Sequence, residues 1–234
     1  MLQYRLRRSP RRRSLEIRIL AESAQIAVAA PTHLSLEKIQ AFVLRHADYI
    51  VRKQNQLQER LARLPSRQYE NGQLFLFLGA EYPLAVARGA GRLAQIEFDG
   101  QGWSVCLPAD SSKPPADLIK KKLVRWYREQ AQEVFGGRIF HFARILGENP
   151  TTIAVKTQKR MWGNCDCRAR RINLNWRLVL APLAVIDYVV VHELCHLRVP
   201  NHSKKFWAEV AKVLPYYKNE RDWLRKNGSL LSLP

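Results

Sequence analysis

Acidic side chains are scarce in this chain: 20 Asp plus Glu stand against 39 Lys plus Arg in 234 residues, a formal charge of +19. That imbalance predicts attraction to polyanions, with nucleic acid or an anionic membrane surface as the candidate partners. Cysteine is scarcer still. Cys106, Cys165, Cys167 and Cys195 are too few for a disulfide scaffold and fit a reducing compartment, the cytoplasm. With 11 Gly and 12 Pro, collagen-like and low-complexity readings are excluded. A long apolar run is also missing. The longest, Leu178 to Val191, is interrupted by Pro182 and Asp187 and falls short of the roughly 20 residues of a membrane span. Arginines 5 to 13 precede a moderately apolar stretch, but Glu22, Ser23 and Gln25 break it, so no export signal is read. A soluble protein with no membrane partner is expected.

What is present is a 27.1 kDa chain that is 47% hydrophobic, enough to bury the core of one large domain or two small ones. Period-two patterning at Leu15, Ile17 and Ile19, and again at Ile26 and Val28, predicts two short strands joined by a turn, with the arginines on an edge or loop. Ser35 is a candidate N-cap for a long helix with an apolar stripe through Leu36, Ile39, Phe42, Val43, Ala47 and Ile50, continuing to about Arg63. Four strands follow between Leu74 and Leu107, the last two joined by Asp99-Gly100-Gln101-Gly102. Ser111 to Pro115 is the candidate boundary. Beyond it a helix is expected from about Ala116 to Leu146, breaking at Gly136-Gly137, with Leu118, Leu123, Trp126, Val134 and Phe140 near one side. Thr151–Thr157 and Ile172–Trp176 read as an antiparallel pair, and three helices close the chain.

His192-Glu193-Leu194-Cys195-His196 is an H-E-x-x-H sequence. Val189, Val190 and Val191 before it suit a strand as well as a helix. Geometry separates the two: residues four apart lie about 13 Å from each other on a strand but about 6 Å on a helix. If the two imidazoles share an ion, the segment is helical. A catalytic zinc takes three protein ligands and keeps one position open. His202 stands six residues past His196, at the spacing of the H-E-x-x-H-x-x-G-x-x-H pattern, although Val199 occupies its glycine position. Pro200 would stop the helix and Asn201 would supply left-handed backbone angles for the return. Glu209 and Glu220 are the rival third ligands. Glu193, beside the first ligand, is the expected general base, taking a proton from water and returning it to a leaving amine.

Trp162-Gly163-Asn164-Cys165, Ile172 to Leu178, Ile186 to Leu197, Asn201-His202-Ser203 and Phe206-Trp207 together resemble the YgjP-like metallopeptidase family, related to the SprT and WLM zinc proteases. The resemblance is dense from about 150 to 226. It implies a Zn2+ ion on His192, His196 and His202, Glu193 as catalytic base, and a peptide or protein substrate. Asn164 stands where the family usually has Ser, and Cys195 where a small residue is common; neither is a ligand position. The expected fold is α+β: a zincin-like catalytic domain over 111–234, with an antiparallel sheet and the H-E-x-x-H helix. A strand-rich N-terminal region, 1–110, is expected to pack on it.

Two other readings stay open: a catalytically silent, zinc-stabilised nucleic-acid-binding module, and a metal hydrolase of a non-peptide amide. Cys165 and Cys167 with Cys195 could form a second metal site, but a lone C-x-C is more often two small turn residues. His33, His46 and His141 lack ligand spacing. Tyr216 or Tyr217 is a candidate oxyanion donor, with packing the commoner role. The Thr151–Thr157 strand and the Lys159-to-Trp162 turn after it are a candidate edge for an extended peptide.

Overall fold

The computed structural model describes residues 2–20, 24–62, 68–91, 93–109, 115–158 and 161–231. The chain divides into two compact units, Met1–Pro65 and Ser66–Pro234. In the first, strands β1 (Tyr4–Ser9), β2 (Glu16–Ile19) and β3 (Ile26–Pro31) form a sheet in the order β1-β3-β2. The predicted strand pair is β2 with β3, antiparallel, and β1 joins β3 in parallel as an edge. Ile26, Val28 and Ala30 on one face of β3 bury against Ile39, Val43 and Ile50. The long helix expected here is two, α1 (Leu36–Arg45) and α2 (Ala47–Ala62). Ser35 caps the first by accepting from the Lys38 amide. His46 interrupts them: its Nδ1 lies 2.8 Å from the Phe42 carbonyl, so the side chain occupies an acceptor at the end of α1.

In the second unit, β4 (Leu74–Phe77), β5 (Ala80–Gly89), β6 (Gln95–Phe98) and β7 (Trp103–Pro108) form a sheet in the order β4-β5-β7-β6. Asp99 Oδ1 accepts from the amides of Gln101 and Gly102 and closes the expected β6–β7 turn. The candidate boundary at Ser111–Pro115 lies, except for Pro115, outside the described residues.

Helix α3 (Pro115–Leu146) buries Ile119, Leu123, Tyr127, Ala131, Phe135, Ile139 and Phe142. This stripe is offset from the predicted one, and Phe140 is 68% exposed. The helix also runs unbroken through Gly136-Gly137, because buried Phe135 and Ile139 hold the turns on either side; a helical glycine costs only about 1 kcal/mol against alanine.

Beyond α3, β8 (Thr152–Lys156), β9 (Gly163–Asp166) and β10 (Arg171–Asn175) make a mixed sheet in the order β8-β10-β9. The antiparallel pairing expected of β8 and β10 is corrected here. They run parallel, and β9, unpredicted, supplies the antiparallel partner of β10. Buried Asn175 donates to the carbonyls of Gln158 and Met161 at 2.8 and 3.3 Å, tying the β8–β9 connection to β10.

A buried 3₁₀ turn, Trp176–Leu180, leads into α4 (Leu183–Cys195), followed by α5 (Lys204–Val213) and α6 (Tyr217–Asn227). The β4–β5 turn anchors this entry. Amides of Leu78 and Gly79 donate to the carbonyls of Val179 and Leu180. Gly79 has φ +84°, and a Cβ there would stand 2.8 Å from Pro182. Helix α4 is apolar on nearly every side and correspondingly buried. Arg138 of α3 grips Asp187 of α4 through two parallel hydrogen bonds of 2.5 and 2.7 Å. The architecture is mixed α+β, as expected. Among the described residues no helix is long and apolar enough to cross a membrane.

A Cβ at Gly136 or Gly137 would meet nothing within 4 Å. Gly136→Ala and Gly137→Ala are therefore each expected to raise stability by about 0.4–1 kcal/mol, read as a higher urea midpoint at unchanged slope; lower midpoints would show that the helix needs its glycines.

Candidate active site

The end of α4 and the turn after it bring three imidazoles together. His192 and His196 lie one helical turn apart, so the segment is helical, as two histidines sharing an ion require. After Cys195 the chain tightens: the Val199 amide donates to the Cys195 carbonyl at 3.0 Å, and His196 Nδ1 lies 3.1 Å from the Val199 carbonyl. Val199 is buried, and only its carbonyl faces the histidine. No glycine is needed there. Asn201 is not in the left-handed region, contrary to expectation. Its side chain instead accepts from the Ser203 amide at 3.3 Å, and Ser203 in turn caps α5.

The three Nε2 atoms stand 3.2 Å (His192–His196), 3.1 Å (His196–His202) and 2.9 Å (His202–His192) from one another. His196 Nδ1 can only donate to a carbonyl, which leaves Nε2 with a bare lone pair aimed at the centre. Burial and the two neighbouring imidazoles push the pKa of His192 down to about 3, and burial lowers that of His196. Both are thus neutral near pH 7, the form that binds metal. Three bare nitrogens about 3 Å apart suit an ion about 2.0–2.1 Å from each and leave a fourth tetrahedral position open. The donor set fits a divalent transition metal.

Phe206 floors the cluster, stacked on His196 at 4.5 Å and edge-on to His192 and His202. Trp207 stacks on His202 at 5.7 Å and 25°. His192 Nδ1 is buried without a partner among the described residues. Its ring is held by Phe206, Trp207 and Tyr188 instead.

Glu193 is 5% exposed, and burial pushes its carboxyl up to about 8. A carboxyl with that proton affinity can accept and return a proton near neutral pH. It packs against β9, where a Cβ on Gly163 would come within 2.6 Å of Oε1 and 2.9 Å of Cδ. Gly163 is therefore a part of the site that motif spacing did not reveal; its place in Trp162-Gly163-Asn164 was the one available signal. The edge strand beside Glu193 is β9. Strand β8 is also an edge, but on the far side of β10, and Lys159 and Arg160 lie outside the described residues.

The turn is braced from outside. Arg198 holds Glu148 at 2.5 Å and also bonds the Leu146 carbonyl, while Arg170 reaches Glu148 at 2.7 Å. Burial pushes the Glu148 carboxyl up, yet these hydrogen bonds outweigh it and hold the group below its usual range. Glu209 pairs with Lys212 at 2.6 Å, and neither Glu209 nor Glu220 joins the histidines. Among the described residues no second His, Cys, Asp and Glu group is gathered as a metal site. Cys167 donates to the His196 carbonyl at 3.0 Å, a structural role. Tyr216 is 78% exposed, and Tyr217 is buried in a stack between Tyr188 and Trp207.

One solved structure similar to part of the chain is the metallopeptidase zymogen of Pyrococcus abyssi abylysin, with 24% identity over 40% of this chain and 93% of that one, at a TM-score of 0.38. No curated protein sequence matches the chain. Residues 13–227 match the family described as YgjP-like, metallopeptidase domain. The chain therefore belongs to the YgjP-like metallopeptidase family.

Proposed function

We propose that the protein is a zinc-dependent peptidase in which His192, His196 and His202 hold the ion and Glu193 is the catalytic base. The observation that carries this reading is the convergence of three Nε2 atoms within 2.9–3.2 Å of one another. Zinc bound there supplies Lewis acidity toward a carbonyl and toward water. Glu193 takes the proton of the attacking water on its carboxylate and delivers it to the leaving amine. Its burial is what gives it a proton affinity suited to both transfers. The β9 edge is placed to pair with an extended peptide by main-chain hydrogen bonds, positioning a scissile bond without demanding a sequence. All four cysteines are free thiols, which supports a cytoplasmic setting.

A specific surface favours nucleic acid as an additional partner. Arg5 and Arg7 project from the outer face of β1, in register with Ala27 and Ala29 of β3. Glu16 pairs with Arg12 and Arg18. Exposed Arg5, Arg7, Arg8, Arg11 and Arg13 face no carboxylate within ion-pair distance among the described residues. The arginines offer phosphate contacts, and the small alanines beside them offer no aromatic platform for bases, so backbone binding without sequence preference is expected.

Metal analysis and peptide turnover test the main reading together. Purified protein should carry one zinc per chain and His202→Ala far less, while Glu193→Gln should keep its zinc and lose at least about 100-fold in turnover. Full activity in Glu193→Gln would exclude the base. Nucleic-acid binding that Glu193→Gln leaves unchanged, in a protein that turns over no peptide, would favour the silent module, and cleavage only of non-peptide amides would favour that hydrolase.

Gly163→Ala should displace Glu193 while leaving the histidines in place. Expected is retained zinc with turnover reduced by roughly tenfold or more; wild-type turnover would show that the strand yields instead.

Fluorescence anisotropy with duplex DNA checks the arginine face. Affinity should fall steeply with salt, and Arg5→Ala and Arg7→Ala should each reduce the log–log slope by about one. Binding that is absent at low salt removes the partner.

A further inference from the structure

Beside the histidines an aromatic stack carries an unpaired cation. Trp207 lies nearly parallel to Tyr217, at 5.2 Å and 10°, and Tyr217 to Tyr188, at 6.3 Å and 13°. The two ends of this stack touch the candidate site: Trp207 stacks on His202, and Tyr188 meets His192 edge-on at 5.9 Å. The Arg221 guanidinium lies over two of these rings, 5.3 Å from Trp207 and 5.9 Å from Tyr217.

Two features set Arg221 apart from an ordinary solvated arginine. It is exposed, yet no carboxylate of the described residues lies within ion-pair distance of it; the adjacent Asp222 pairs with Arg225 at 3.5 Å. Its guanidinium is laid across two aromatic faces and so is held in place before any ligand arrives. The stacking distances put the guanidinium carbon within about 11 Å of the His202 ring, the span of about three residues of extended chain.

We infer that Arg221 forms a subsite for a substrate carboxylate within about three residues of the bond that is cut. This rests on the peptidase reading above for what happens at the bond, but not for the binding itself. A guanidinium offers a planar pair of N–H donors that matches a carboxylate. The carboxylate could be a peptide's own C-terminus or an Asp or Glu side chain. In either case Arg221 is a specificity residue, distant from the reacting atoms.

The test uses the full-length, zinc-loaded protein and matched peptide sets: free against amidated C-termini, and Glu against Gln at each of the three positions on either side of the cleaved bond. Carboxylate-bearing peptides should be cleaved at least about tenfold more efficiently, mainly through KM. A preference confined to free C-termini identifies an end-binding subsite, and one confined to Glu a side-chain subsite. Arg221→Glu should reverse the preference toward Lys-bearing peptides, and Arg221→Lys should retain part of it. The same peptides titrated into Glu193→Gln, followed by tryptophan fluorescence, should show the same order of affinities. Cleavage without charge preference, or a preference that Arg221→Glu leaves unchanged, overturns the inference while the peptidase reading stands. Charge-selective binding that Arg221→Glu reverses, in a protein that cleaves none of the peptides, supports the subsite and sinks the peptidase reading. Binding without charge selectivity sinks the subsite whatever the cleavage result.

Discussion

Helix α4 is apolar around almost its whole circumference, so it has to be covered on every side, and the second unit is organised by that requirement. Helix α3 lies along it and locks it through Arg138 and Asp187. The 3₁₀ turn that feeds it is pinned by the β4–β5 hairpin. Strand β9 presses close enough on its last turn that Gly163 admits no side chain. Only the C-terminal end of the helix opens toward polar chemistry, and the histidines sit there. A helix so enclosed has little freedom to shift, which is the rigidity a set of three converging donors requires.

The same burial sets the protonation states. Removing His192 and Glu193 from water disfavours the charged form of each, which drives the imidazole's pKa down and the carboxyl's up. The two effects are complementary. Neutral imidazoles are the form that binds a cation, and beside them stands a buried carboxyl of raised proton affinity. Around them the rings of Phe206, Trp207, Tyr217 and Tyr188 form an apolar wall. Hydrogen bonds orient His196 through Val199, whereas His192 relies on packing alone.

Local patterns in the chain were readable where they depend on near neighbours. Strand alternation located β2, β3 and β4 to β7; Ser35 announced a cap, and Asp99 to Gly102 a turn. The spacing of His192, His196 and His202 required a helix followed by a tight return, and both are present. Misreadings arose where distant contacts outweigh local preference. Gly136-Gly137 does not break α3, because Phe135 and Ile139 are buried on either side. The buried stripe of α3 is set by what packs against it, which left Phe140 outside. Parallel pairing of β8 with β10 depends on β9, a strand of Gly-Asn-Cys-Asp with no apolar alternation to mark it.

Covalent order alone therefore determined the spacing of the three histidines, the neighbouring carboxylate, the excess of positive charge and the mixture of helices with strands. These follow from residue type and from the fixed periods of helix and strand. Tertiary structure decided the rest: which edge strand meets Glu193, why position 163 must be glycine, how Val199 and Asn201 turn the chain without a left-handed residue, and which aromatic faces carry Arg221. Each depends on segments far apart in the chain meeting at van der Waals distance. Such approaches are set by close packing and leave no period in the sequence.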